Sequence, residues 1–179
     1  MAQFDEILSD ELDCYGREGT RTELSVEALR VPLNALDVAK AETLPLGSTV
    51  DQVLRLIQQP GTSCVVITNG EGKLVGLITE RDLCTRVTAN GLDPKSTAVD
   101  DVMTRNPLTL RADEPLTFAL GQMDIGGYRH VPLVDDDGRP AGVVTARRVI
   151  NYIVEFFPEE VKVLPPSPVR EGPEERHGG

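Results

Sequence analysis

The stretch GLITERDL, residues 76–83, returns later in the chain as GVVTARRV, residues 142–149. The two copies stand 66 positions apart, and that offset holds without a gap across residues 43–84. Thr43 and Leu44 meet Thr109 and Leu110, Val65 meets Val131, and Gly72 meets Gly138. Gly76 meets Gly142, Thr79 meets Thr145, and Arg81 meets Arg147. A register of this length marks a tandem of two similar units. It also exposes one reversal, because Asp82 falls on Arg148.

Each unit carries the same local signals. A short extended piece, ETLPL and then PLTLR, leads into a helix predicted over 49–58 and again over 114–125. Val50, Val53, Leu54 and Ile57 follow the i, i+3, i+4, i+7 spacing of one buried helical face. Pro115 stands where a first-turn proline belongs, and Gly126-Gly127 ends the second helix. Two apolar strands follow in each copy, SCVVIT-NGEG-KLVGLIT and RHVPLV-DDDG-RPAGVVT, joined by Asn/Asp/Gly turns. A closing helix begins at Thr79 and at Thr145. The predicted order is strand, helix, strand, strand, helix, and a unit this small is expected to pack against its copy.

The chain divides into an acidic extension (1–32), a first unit (33–90), a linker (91–99), a second unit (100–157) and a Pro/Glu-rich tail (158–179). FDEILSDEL in the extension is expected to form a short helix, and the tail has too few apolar residues to fold alone. Of the net charge of −11, residues 31–157 carry only −4, with 16 acids against 12 bases. No basic footprint for nucleic acid is present. No apolar run approaches the roughly 18–20 residues that span a bilayer, and MAQFDEILSDELD is acidic where a secretory signal is basic. A cytoplasmic protein is expected. Cys14, Cys64 and Cys84 form no CxxC pair; Cys64 and Cys84 lie in apolar segments, so buried free thiols are expected.

Catalytic patterns fare poorly. A calcium loop starting at Asp135 needs an acid where Ala146 stands, so DDDG reads as a hairpin turn. GEGKLVG lacks the spacing of a phosphate-binding loop, and no nucleophile elbow accompanies His130. No enzyme, no metal site and no catalytic cofactor are expected.

GLITERDL and GVVTARRV, with YRHVPLVDDDGRPAG before the second and DDVMTRNPLTLRADEPL leading in, resemble the cystathionine β-synthase (CBS) domain pair, or Bateman module. The resemblance covers roughly residues 33–156. It implies an α/β (α+β) fold of two βαββα units packed as a pseudo-twofold pair, with two clefts between them. It also implies a homodimer shaped as a disk. Such clefts take adenosine-containing ligands, among them AMP, ADP, ATP, NAD and S-adenosylmethionine, as signals without chemistry.

Carried onto this chain, the resemblance has Thr79 and Asp82 hold the ribose, with Met103, Leu108, Tyr128 and Arg129 lining the base. Arg81, Arg129 and His130 are candidates for the phosphates. A carboxylate accepting from two vicinal hydroxyls is a sound clamp, since charge-assisted hydrogen bonds are the strong ones. Thr-x-x-Asp is equally the pattern of a capping box at a helix start, and the residues alone do not separate the two roles.

In the other cleft Thr145 keeps its hydroxyl, but Arg148 has no acceptor for a ribose. That cleft, with Thr145, Arg147, Arg148, Thr62 and Ser63, is expected to have lost its nucleoside, or else to have become an anion site through Arg147 and Arg148. Two functions therefore compete: a sensor of an adenine nucleotide, and a ligand-free adaptor that dimerises and binds a partner protein.

Overall fold

The computed structural model describes residues 27–156. Cys14, the FDEILSDEL segment and the Pro/Glu-rich tail lie outside the described residues. The first sheet holds β1 (Thr43–Pro45), β2 (Cys64–Thr68), β3 (Leu74–Thr79) and β4 (Thr104–Arg105) in that order, with β1 parallel to β2 and the other pairs antiparallel. The second holds β5 (Leu110–Arg111), β6 (His130–Val134) and β7 (Pro140–Thr145) in the same pattern. Between β1 and β2 runs α1 (Val50–Ile57), and β3 runs into the short α2 (Glu80–Asp82). A one-turn α3 (Val99–Val102) precedes β4, α4 (Leu116–Ile125) follows β5, and α5 (Ala146–Val154) closes the second unit.

The repeat offset survives in the register. Cys64 pairs with Thr79 as His130 pairs with Thr145, and a bulge interrupts both hairpins at matching points, Ile67/Thr68 and Leu133/Val134. Both turns are built alike. The Asn69 side-chain oxygen accepts from the Glu71 and Lys73 amides at 3.0 Å, and that of Asp135 accepts from the Asp137 and Arg139 amides at 3.0 and 2.8 Å. Gly72 and Gly138 both take φ of 78°, which a side chain tolerates poorly. DDDG is thus a hairpin turn whose first acid is occupied with its own backbone.

Each core takes a segment from the other half of the sequence. Val99, Val102 and Met103 are buried with Val50, Val53, Val65, Ile67 and Ile78 of the first unit. Reciprocally, Leu33 and Leu36 are buried with Leu110, Leu116, Leu133 and Val144 of the second. The crossing is symmetric to the hydrogen bond. Val50 N–H donates to Thr97 C=O at 3.0 Å as Leu116 N–H donates to Val31 C=O at 2.8 Å. Likewise the Val99 amide reaches Ser48 C=O, and the Leu33 amide reaches Glu114 C=O, both at 2.9 Å. Isolated bridges join Thr49 to Ala98 and Pro32 to Pro115. Between the units, Cys64, Val66, Leu77 and Val143 form a small shared core.

Three local expectations shift. Pro115 is the residue before α4, with extended ψ of 146°, because its backbone bridges to Pro32. Gly126 and the left-handed Gly127 (φ 65°) do end that helix. The closing helix of the first unit does not stay α-helical: after Asp82 it widens into a π turn over Leu83–Val87 and tightens to 3-10 over Thr88–Asn90. Asn90 donates its side-chain amide to the Thr85 and Arg86 carbonyls, and the left-handed Gly91 stops the helix. Cys64 is buried, which pushes its thiol up to about 12. Cys84 is exposed, contrary to expectation, because Leu83 and Val87 on the same turn take the core-facing positions.

Candidate functional site

The β3–α2 corner places Thr79 and Asp82 on a cavity of about 310 Å³ between the two units. The second unit supplies the opposite wall, with Thr104, Pro107 and Leu108 from its lead-in and Gly127–Val131 from the start of β6. Thr79, Arg81, Asp82, Leu108, Tyr128, Arg129 and His130 are all brought to this cavity. Met103 is not. It lies 6% exposed in the first core, where its sulphur packs against Gly76 so closely that a Cβ there would collide with it. A lead-in that supplies Val99 and Val102 to the core in one short turn carries Met103 inward with them.

Thr79 and Asp82 form a reciprocal cap. The Asp82 Oδ2 accepts from the Thr79 amide at 2.9 Å and from the Thr79 hydroxyl at 2.8 Å, while the Asp82 amide donates to Thr79 Oγ1 at 3.4 Å. Asp82 Oδ1 meets Arg86 Nε at 3.3 Å. Arg86 also donates to the Val102 carbonyl at 2.9 Å and to Thr104 Oγ1 at 3.3 Å, which ties the helix to the lead-in forming the far wall. The carboxylate side chain is 13% exposed. It is an acceptor held in place at a cavity edge, beside the apolar surfaces of Leu108 and Tyr128.

The second cleft is a wider cavity of about 810 Å³ and holds Thr62, Ser63, Thr145, Arg147 and Arg148 together. Thr145 Oγ1 accepts from the Arg148 amide at 3.3 Å, so the cap survives in part. The Arg148 guanidinium ion-pairs with Asp37 in the lead-in. Arg147 is exposed and has no ion pair among the described residues.

Glu80, Arg129 and His130 line both cavities and form the wall between them. His130 Nε2 lies 2.8 Å from Ser63 Oγ, a hydrogen bond from the start of one hairpin to the start of the other. Burial holds the His130 imidazole below its ordinary value of 6.5, with Glu80 opposing, Arg129 reinforcing and Asp82 opposing. A depressed imidazole is neutral in the folded chain and takes a proton more readily once unfolded. Stability from this group is therefore present above about pH 6.5 and falls as pH drops toward the folded value. Melting temperatures measured from pH 7.5 to 5 are expected to decline less steeply in His130→Gln than in the wild type. Parallel declines would show that His130 does not carry the effect.

Residue motifs did not single out Glu80, Thr104 and Pro107, although all three stand inside or beside the quoted stretches. Ala39 and Asn151, at the second cleft, carry no motif at all. They arrive by the crossing of the first lead-in and by the face of α5.

The CBS domain family matches residues 37–89 and again 99–155. A CBS domain-containing protein of Arabidopsis thaliana is 38% identical over 101 residues, which cover 56% of this chain and 18% of the plant protein. The chain spans less than a fifth of the length of the plant relatives it matches. Among solved structures, a CBS domain protein from Pyrobaculum aerophilum complexed with AMP superposes with a TM-score of 0.63 at 22% identity, covering 72% of this chain and 99% of that one. A CBS domain pair in complex with methylthioadenosine and S-adenosyl-L-methionine gives 0.63 at 24% identity, covering 70% and 98%.

Proposed function

The chain belongs to the CBS domain family, and from that membership we propose that it is a cytoplasmic, non-catalytic sensor. Its ligand is an adenosine-containing molecule, AMP, ADP or ATP, in the cleft built on Thr79 and Asp82. One observation carries the reading: a fixed carboxylate, 13% exposed, at the edge of a cavity whose other wall is Leu108 and Tyr128. Vicinal ribose hydroxyls donate to such a carboxylate, and an adenine face covers such a wall. Ligands carried by proteins of the same fold, AMP in one and S-adenosyl-L-methionine in another, share that adenosine half. Arg81, Arg129 and His130 line the same cavity and are the proposed partners of the phosphates. Occupancy acts by favouring whichever arrangement of the two units binds the ligand better. No helix of the described residues is long and apolar enough to cross a membrane.

Isothermal titration with AMP and then ATP tests this directly. About one equivalent per chain is expected, since of the two cavities among the described residues the one built on Asp82 pairs a fixed carboxylate with an apolar wall. No saturable heat with either nucleotide overturns the reading.

A homodimer, common to the sensor and adaptor readings, has its own support in apolar side chains exposed on the two helices of the second unit. Phe118 and Ile125 of α4 and Ile150 of α5 are 52%, 90% and 59% exposed. The matching positions of the first unit hold Gln52, Gln59 and Cys84. Exposed apolar side chains of this size mark an interaction face, and a second copy of the chain is the proposed occupant. Sedimentation analysis is expected to show a dimer that dissociates in Phe118→Glu/Ile125→Glu. A monomeric wild type removes the proposed homodimer.

A further inference from the structure

The two clefts differ in net charge: Arg81 and Arg129 balance Glu80 and Asp82 in the first, and the second is basic. Arg129, Arg147 and Arg148 line the second cavity against one acid, Glu80, in a chain whose net charge is −11. The helix start also reverses its charge between the clefts. In the first, the helix carries Asp82 and the lead-in carries Met103. In the second, the helix carries Arg148 and the lead-in carries Asp37 at the position matching Met103. Asp37 and Arg148 form an ion pair at the cavity edge, with side chains 82% and 36% exposed.

From this arrangement we infer that the second cleft binds a compact polyanion, a phosphate or diphosphate group, and that Asp37 is its built-in competitor. Guanidinium forks on Arg147 and Arg148 match the oxygens of phosphate in pairs, and the hydroxyls of Thr62 and Ser63 add donors on the facing wall. Arginine has no acceptor, so the site selects the anion and not a sugar. In the free protein the Asp37 carboxylate satisfies Arg148. Being largely exposed, it contributes little and yields to a dianion that engages both arginines. The inference is independent of the nucleoside reading, because inorganic diphosphate has no ribose and Asp82 does not line this cavity.

The test is isothermal titration of the full chain with inorganic diphosphate. Saturable binding is expected in the wild type. Asp37→Asn is expected to bind roughly two- to fivefold tighter, the factor by which an exposed ion pair competes. Arg147→Ala/Arg148→Ala is expected to lose binding while keeping a cooperative melt. Asp37→Asn removes one partner of an exposed pair, so it keeps the test open should the double variant fold poorly. Tightening for inorganic diphosphate assigns the group as a free anion. Tightening for ATP alone, lost with the two arginines, assigns it as part of a nucleotide. No binding to Asp37→Asn by either, or binding that survives loss of both arginines, overturns the site.

Discussion

Asp82→Ala is expected to lower the affinity for AMP, the proposed ligand, by roughly 100-fold, the loss when two hydroxyl donors forfeit a charged acceptor. Two roles meet in this side chain, and the variant separates them. As a cap, Asp82 satisfies the Thr79 amide and fixes the start of the closing helix, a contribution of about 1 kcal/mol to stability. In the proposed role of clamp, it would give its oxygens to the ribose. Oδ2 is occupied by Thr79 and Oδ1 by Arg86. A ribose therefore takes over lone pairs that Arg86 and the Thr79 hydroxyl now hold. Asp82→Asn sharpens the comparison, since the amide oxygen can still accept from the Thr79 amide but carries no charge. Binding is expected to fall in both variants, and the melting temperature chiefly in the alanine variant. If titration shows unchanged affinity alongside a lowered melting temperature, Asp82 is a helix cap and nothing more.

Leu33→Ala is expected to cost the protein about 3 kcal/mol, within the range seen when a fully buried leucine is truncated. Leu33 is 0% exposed and packs among Leu110, Leu116, Leu133 and Val149, all of the second unit. By sequence it precedes the first unit's opening strand, so its partners lie 77 or more residues downstream. A loss of that size is a large share of the roughly 5–15 kcal/mol that holds a domain of this kind. Urea denaturation measures it as a lower midpoint with an unchanged slope. Leu92→Ala, at a 40% exposed position, serves as the control and is expected to change stability by less than about 0.5 kcal/mol. Amide exchange should show the weakening in β5, β6 and α5. Near-neutral Leu33→Ala would mean that the lead-in is a tether and the second core closes without it.

Much of the architecture was legible in the chain as written. The helices at 49–58 and 114–125, the paired strands and both Asn/Asp/Gly turns emerged within a residue or two, because each depends on spacing inside a short window. Candidate site residues from the two GLITERDL-like corners and from Tyr128–His130 also fall on the cavities, since those corners are themselves local structures. Met103 was misplaced for an instructive reason. The family resemblance implied a cleft residue, but Val99 and Val102 bury one face of α3 and take Met103 with them.

The sequence by itself determined that there are two units, where the closing helices begin and the hairpin turns stand, and that Asp82 and Arg148 oppose each other in sign. Those are properties of residue type at fixed spacing, and a repeat states them twice. Only the tertiary structure decided that the lead-ins cross between units, that Asp37 meets Arg148, and that Glu80, Arg129 and His130 form one wall shared by two clefts. Each of these joins residues far apart in the chain, through apolar surface that carries no local pattern naming its partner. The crossing buries Leu33 and Leu36 on one side and Val99 and Val102 on the other, each burial worth ~1.5–3 kcal/mol. That free energy exists only when both units are folded together, which is why no stretch of either unit read alone could announce it.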